Sequence, residues 1–174
     1  TTGTWQLDPT HTEVGFTVRH IMSKVRGKFE TFEGTLVTAD DITASTVNVS
    51  VELASINTGT ADRDNHLRSG DFFNVETNPT MTFASTGVVQ KSDSDFVVTG
   101  DLTIKDITKP FELIVEFLGE GKDPWGGTRV GVEATGQISR KDWGIDFNIP
   151  LEGDKVMIGD KITITINAEA VLQA

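Results

Sequence analysis

Apolar and polar residues alternate with a period of two along most of this chain. The pattern is clearest over residues 14–20, 47–53 and 162–170, where nearly every second side chain is apolar. Because successive side chains of a strand point to opposite faces, the pattern predicts β-strands with one buried face and one face in water. Such strands are typical of antiparallel sheets, since strands of buried parallel sheets are apolar on both faces. Polar turn segments separate the runs, which predicts a meander closed into a barrel or folded into a sandwich.

The composition limits the chemistry that the chain can use. The chain has 174 residues, with 15 basic and 26 acidic side chains and a formal net charge of −11. This length predicts one domain over residues 1–174. The lack of cysteine excludes disulfides, thiolate metal sites and a cysteine nucleophile. The acidic balance argues against nucleic acid as a partner. No signal-peptide pattern is present, so a cytoplasmic location is expected ahead of a periplasmic or secreted one.

Residues 60–70 break the strand pattern. Thr60 or Asp62 is suited to begin a helix, and Gly70 is suited to end one in the left-handed conformation. We therefore expect a helix of about two turns that plugs one end of the sheet.

Small residues occupy several positions on the predicted inward faces of the strands. They lie among phenylalanines, and they are Ser85, Gly100, Ala134, Gly136, Ala168 and Ala170. The interior of an eight-stranded barrel is either just filled by side chains or just able to hold one small ligand. The small residues therefore either leave open volume or make room for bulky neighbours across the barrel. Composition alone favours the second alternative.

Several short motifs are spread over residues 5–170. They include Trp5-Gln6-Leu7-Asp8-Pro9, Arg63-Asp64-Asn65-His66-Leu67, Asp71-Phe72-Phe73, Gly100-Asp101-Leu102 and Arg140-Lys141-Asp142-Trp143-Gly144. In their order and spacing these motifs resemble the YceI-like family of polyisoprenoid-binding proteins. The resemblance implies an all-β fold, an antiparallel eight-stranded lipocalin-like β-barrel with the short helix at one end. It also implies an elongated apolar pore for an isoprenoid chain, and a homodimer in many members.

The resemblance, together with the small inward residues, predicts non-enzymatic binding, storage or transport of an isoprenoid lipid. The ligand would be a polyprenyl chain, a quinone tail or a polyprenyl phosphate, with no cofactor besides this lipid. The residues expected to bind it are Phe16, Val18, His20, Val49, Val51, Arg63, His66, Leu67, Phe72, Phe83, Gly100, Leu102, Ala134, Gly136 and Ile164. Two alternatives stay open: an enzyme that acts on a prenyl or quinone substrate, and a stress-response interaction module with a filled barrel.

The polar candidates each have a second interpretation. His20 ends the inward face of its strand, where it contacts either a polar head or the helix plug. Arg63 and His66 either meet the ligand head or hold the helix by capping and ion pairing, and the second is favoured. In the enzyme alternative, His20, Arg63 and His66 would supply the polar groups that act on the substrate. No catalytic signature supports that alternative, because the chain has neither a Gly-x-Ser-x-Gly nucleophile motif nor a His-Glu-x-x-His metal motif.

One basic run stands out in this acidic chain. Arg19, Lys24, Arg26 and Lys28 supply +4 with no acidic residue between them, so the rest of the chain carries −11 − 4 = −15. Such a run is either a solvated hairpin, which is favoured, or a surface that meets a pyrophosphate or membrane headgroups in transient contact.

Overall fold

The computed structural model describes residues 1–149 and 157–174, which form eleven strands and one α-helix. The strands are β1 (Gly3–Leu7), β2 (Glu13–His20), β3 (Ser23–Phe29), β4 (Phe32–Thr38), β5 (Thr46–Glu52), β6 (Ile56–Asn57), β7 (Thr80–Gln90), β8 (Asp95–Ile104), β9 (Ile107–Lys122), β10 (Thr128–Ser139) and β11 (Ile158–Leu172). The helix α1 spans Ala61–Arg68. None of the helical segments in this part of the chain has the length and hydropathy to span a bilayer.

Eight of the strands close into an antiparallel barrel. Their order is β1-β4-β5-β7-β8-β9-β10-β11, and β11 pairs with β1 to complete the ring. Trp5 of β1 lies opposite Leu172 of β11 at this closure, and Trp5 is fully buried. The predicted fold, an eight-stranded antiparallel barrel with one short helix, is confirmed.

The other three strands extend the sheet from the long strand β11. The end of β11 pairs with β1, while its earlier part pairs with β2, with Ile164 opposite Phe16. Strand β2 continues through a two-residue turn into β3, and β3 pairs with β6. The β2–β3 hairpin therefore forms an additional wall at the end of the barrel where β11 leaves β1.

Helix α1 covers the end of the barrel that carries this additional wall. The predicted helix is confirmed over Ala61–Arg68, and Thr60 begins it as one of the two expected residues, but its C-terminal end differs from the expectation. Thr60 occupies the first capping position without a side-chain hydrogen bond, and the helix ends at Ser69, whose N–H donates to the His66 carbonyl. Gly70 is not left-handed, because Ser69 ends the helix in an extended conformation instead.

Candidate functional site

An apolar cavity of about 170 Å³ lies between the β2–β3 hairpin, strand β11 and helix α1. Strand β2 supplies Phe16 and Val18 to its wall, and the facing positions of β11 supply Ile162 and Ile164. The strand register explains this convergence, since Phe16 lies opposite Ile164 and Val18 lies opposite Ile162. The period-two pattern puts all four side chains on one face, so two neighbouring strands present a continuous apolar surface.

The helix side of the cavity is closed by aromatic rings. His66 packs edge-on against Phe72 and against Phe147, with 5.0 Å between ring centroids in each pair. Leu67 completes this wall. The Nε2 atom of His66 lies 2.8 Å from Oδ2 of Asp71. The imidazole thus serves as part of an apolar wall, while its outer nitrogen is held by a carboxylate.

Arg63 also lines the cavity, but its polar atoms bind the chain that leads into α1. Its Nε donates to Oγ1 of Thr58 at 2.7 Å, and one terminal nitrogen donates to the Thr58 carbonyl at 2.8 Å. The buried carboxylate of Asp64 accepts from both the N–H and the hydroxyl of Thr58. Arg63 and Asp64 therefore fix the start of the helix against strand β6.

His20 differs from the other polar candidates. It is half-buried at the end of β2 and lines the cavity. Its backbone carbonyl accepts from the Ser23 hydroxyl at 3.2 Å, but its imidazole has no hydrogen-bond partner among the described residues. This imidazole is accordingly available to a polar group of a ligand.

Arg140 belongs to the cavity wall, although it is not among the residues predicted to bind the ligand. Only 1% of it is exposed. Its Nε donates to the Gly159 carbonyl at 3.0 Å, and Nη1 donates to the carbonyls of Ile145 at 2.9 Å and Phe147 at 2.8 Å. Burial lowers the pKa of this guanidinium from its ordinary value, while the charge of Asp160 opposes the shift. The signal available in the sequence was the motif at residues 140–144, which carried the family resemblance.

The structure brings together eight of the predicted binding residues around the cavity. They are Phe16, Val18, His20, Arg63, His66, Leu67, Phe72 and Ile164. The other seven lie outside the cavity wall, within the strands of the barrel. They are Val49, Val51, Phe83, Gly100, Leu102, Ala134 and Gly136.

Gly100 and Gly136 correct the part of the lipid-binding prediction in which small inward residues leave open volume. A Cβ at Gly100 would lie 2.6 Å from the Phe83 ring and 2.5 Å from the Ala84 carbonyl oxygen. At Gly136 the corresponding space is taken by the ring of Phe111. These two glycines make room for phenylalanine rings, so the alternative favoured by composition is the one that the structure shows at both positions.

A cluster of ionisable groups lies at the closure of the barrel, away from the cavity. One ligand atom from each of Asp8, His11 and Glu169 lies within 4.8 Å of the others. Nη1 of Arg129 lies 2.6 Å from Oδ2 of Asp8 and 3.3 Å from Oε2 of Glu169. The guanidinium holds the pKa of Asp8 well below its usual range, with further hydrogen bonds from His11 and Thr10. Arg129 supplies a positive charge to both carboxylates, so the cluster forms an ion-pair network.

A closed antiparallel barrel with a short helix and an apolar cavity at one end has the architecture of the lipocalin-like class. Within that class, the YceI-like domain model matches residues 5–170. The chain is 40% identical to the YceI protein of Escherichia coli over 165 aligned residues. The alignment covers 94% of this chain and 83% of that protein. The chain belongs to the YceI-like family.

Solved structures agree with this assignment of the fold. BcnA of Burkholderia cenocepacia superposes with a TM-score of 0.83 at 17% identity, covering 94% of this chain and 98% of that one. A polyisoprenoid-binding domain from Saccharophagus degradans, implicated in plant cell wall breakdown, superposes with a TM-score of 0.70 at 16% identity, covering 99% and 100% of the two chains. At these identities the likeness establishes the fold. The homodimer stays a prediction.

Proposed function

We propose that this protein binds an isoprenoid lipid in the cavity beside the β2–β3 hairpin and stores or carries it without chemical change. The observation that carries the proposal is the continuous apolar wall formed by Phe16, Val18, Ile162 and Ile164. Methyl-branched hydrocarbon chains gain free energy in such a wall through the area that they remove from water. The fold likeness to the Saccharophagus degradans polyisoprenoid-binding domain supports the same ligand class.

The polar groups of the cavity favour an electronegative head on the lipid. The titratable side chains in its wall are His20, Arg63, His66 and Arg140, and no Asp or Glu stands among the described lining residues. Of these, His20 has an imidazole free of hydrogen bonds to described residues. A quinone oxygen or a phosphate would accept a hydrogen bond there, which is the arrangement that we propose for the head.

The same lining supports a binding role rather than catalysis. The described lining residues include no hydroxyl, thiol or carboxylate side chain, so covalent catalysis would lack its usual nucleophiles, and His20 would have to serve as the free general acid or base. His66 and Arg63 are engaged with Asp71 and Thr58. The third alternative, a filled barrel, fits the packing at Gly100 and Gly136, but it leaves the cavity of about 170 Å³ beside the β2–β3 hairpin without a role.

The size of the cavity limits how the lipid fits. At about 170 Å³ it is close to the ~150 Å³ of an engineered apolar cavity that admits benzene. It therefore accommodates a segment of a prenyl chain in its present shape. A longer chain requires wall side chains such as Phe16 to move apart, or it extends through the mouth of the cavity.

Organic extraction of the purified protein followed by mass spectrometry tests the proposal. We expect prenyl species in the extract, and uptake of an added polyprenyl phosphate or quinone by protein that has been stripped of lipid. Val18→Trp places a large ring in the cavity and should lower this uptake at least tenfold, because it removes the volume for the tail. Val97→Trp is the matched control, since Val97 lies in β8 away from the cavity. Absence of prenyl species together with absence of uptake would refute the function.

A further inference from the structure

The turn of the β2–β3 hairpin exposes two apolar side chains to solvent. His20 pairs with Ser23, so the loop consists of Ile21 and Met22 alone. Ile21 is 49% exposed and Met22 is 94% exposed. Two-residue hairpin turns favour Gly, Asn or Asp, because their backbone needs positive φ angles. Ile21 has φ of +54°, a conformation that is strained for a β-branched residue. Neither the apolar character nor the residue type of this turn serves the fold.

The outer face of the same hairpin is basic. Arg19 on β2 and Lys24, Arg26 and Lys28 on β3 are exposed, and they alternate with residues that face the interior. No carboxylate of the described residues lies within 4.0 Å of their charged groups. The rest of the chain carries −15, from −11 − 4. The hairpin is therefore a cationic face on a strongly anionic protein.

The turn and the basic face adjoin the cavity. Val18, His20 and Val25 of the hairpin line it, as does Met157. The Ile21 N–H donates to the Met157 carbonyl at 2.7 Å, which fixes the turn beside this end of the cavity. A surface that held the hairpin tip would consequently lie next to the cavity.

We propose that the β2–β3 hairpin docks this protein on bilayers that contain anionic lipids. Ile21 and Met22 enter the boundary between headgroups and acyl chains, and the four cations contact the headgroups. Apolar side chains next to Lys and Arg are the combination that binds such surfaces, and the attraction to anionic lipid is about fivefold in affinity for each basic residue. Two side chains bury far less area than a stable protein interface requires, which favours a bilayer over an acidic protein as the partner.

Flotation of the purified protein with lipid vesicles tests the docking. We expect binding to vesicles of phosphatidylcholine with about a third of phosphatidylglycerol, weaker binding to phosphatidylcholine alone, and loss of binding when salt rises from ~0.1 M to ~0.5 M. The double variant Lys24→Gln/Lys28→Gln should bind about 25-fold more weakly. Lys91→Gln/Lys109→Gln removes the same charge from exposed positions outside the hairpin and should bind like the parent protein.

A variant of the turn separates docking from folding. Ile21→Gly/Met22→Ser gives the strained position a residue that accepts positive φ, so its thermal midpoint should equal or exceed that of the parent. It should nevertheless bind anionic vesicles at least tenfold more weakly. The proposal fails if the parent does not float with anionic vesicles, if it binds neutral vesicles equally well, or if the Lys91/Lys109 control loses as much binding as the hairpin variant.

The role of docking in lipid loading rests on the proposed function, whereas docking itself does not. Vesicle binding and lipid binding can therefore fail separately. Hairpin variants should take up a prenyl lipid from detergent solution as the parent does, but should take it up at least tenfold more slowly from anionic vesicles. Normal vesicle binding without any lipid uptake would contradict the carrier function and leave the docking intact. Lipid uptake from anionic vesicles that is equally fast in the hairpin variants would contradict the role of docking in loading.

Discussion

Gly100 shows how the side chains of neighbouring strands share the interior of the barrel. The Phe83 ring occupies the space where a Cβ at Gly100 would lie, at 2.6 Å, and the Ala84 carbonyl oxygen is 2.5 Å away. Gly100→Ala should therefore destabilise the protein by about 1–3 kcal/mol through overpacking. Urea denaturation measures this effect, and lipid uptake below the unfolding transition should stay unchanged because Gly100 does not line the cavity.

Gly121→Ala is the matched control for this substitution. No atom lies within 4 Å of a Cβ at Gly121, so its free energy of unfolding should change by less than about 0.5 kcal/mol. If Gly100→Ala lowered lipid uptake and left stability unchanged, the ligand would pass along this strand and the cavity would be wrongly placed.

The period-two pattern predicts which side chains face inward, but it does not predict what they meet there. It placed Phe16, Val18 and His20 on one inward face, and all three line the cavity. It also placed Gly100 inward, where the register of β7 against β8 brings Phe83 onto it. Alternation within one strand fixes which face points inward, but it does not say which inward residue of the next strand lies beside Gly100.

At the scale of elements, the short 3-10 turn at Arg140–Trp143 ties separate parts of the cavity wall together. The Arg140 guanidinium donates to carbonyls of Ile145 and Phe147 on one side and of Gly159 on the other. Arg140→Lys keeps the charge but replaces the planar fork of donors by a single ammonium group. Leaving buried carbonyls unpaired should lower the free energy of unfolding by about 2–3 kcal/mol, and chemical denaturation measures the loss.

The neighbouring residue supplies the control for Arg140. Lys141 is exposed on the same 3-10 turn, so Lys141→Gln should change stability by less than about 0.5 kcal/mol. A loss of stability in Arg140→Lys no larger than in Lys141→Gln would mean that the guanidinium does not hold the wall. The sequence motif at residues 140–144 identified this segment, but a basic side chain is normally predicted to be exposed, and its burial depends on carbonyls that only the folded chain supplies.

The alternation over residues 162–170 predicted the central part of β11, which spans Ile158–Leu172, whereas its two partners could not be predicted. The strand pairs with β2 over its earlier part and with β1 at its end. The two pairings use different residues of β11, and the local pattern of each part is compatible with either neighbour. The position of the cavity follows from this division, because the wall formed by β2 and β11 exists only where β11 has left β1.

At the scale of the whole molecule, an ion-pair network joins the strands at the closure of the barrel. Arg129 of β10 contacts Asp8 after β1, Asp123 in the β9–β10 turn and Glu169 of β11, with nitrogen–oxygen distances of 2.6, 2.8 and 3.3 Å. Asp8 is the residue of this network whose pKa is held furthest below its usual range, chiefly by Arg129 and then by His11. Its ionised form therefore stabilises the closed barrel.

The sign of the pH dependence follows from this depressed pKa. A carboxyl group whose pKa is lower in the folded state contributes its full stabilisation above its unfolded pKa, which is about 3.9 for aspartate. The contribution decreases as the pH falls from about 4 toward the folded pKa, because the unfolded chain then binds a proton that the folded chain does not. Asp8→Asn should thus destabilise the protein by about 1–2 kcal/mol at pH 7, and its difference from the parent should shrink steadily below about pH 4.

Urea denaturation of the parent and of Asp8→Asn from about pH 7 down to about pH 2.5 measures this convergence. Asp93→Asn, in the exposed β7–β8 turn, removes a carboxylate of equal charge and should track the parent at every pH. The comparison isolates the closure of the barrel from the general effect of protonating an acidic protein, because both variants lose one negative charge. A constant difference between the parent and Asp8→Asn across the acid range would show that the Asp8 side chain stabilises the closure by packing rather than by its charge.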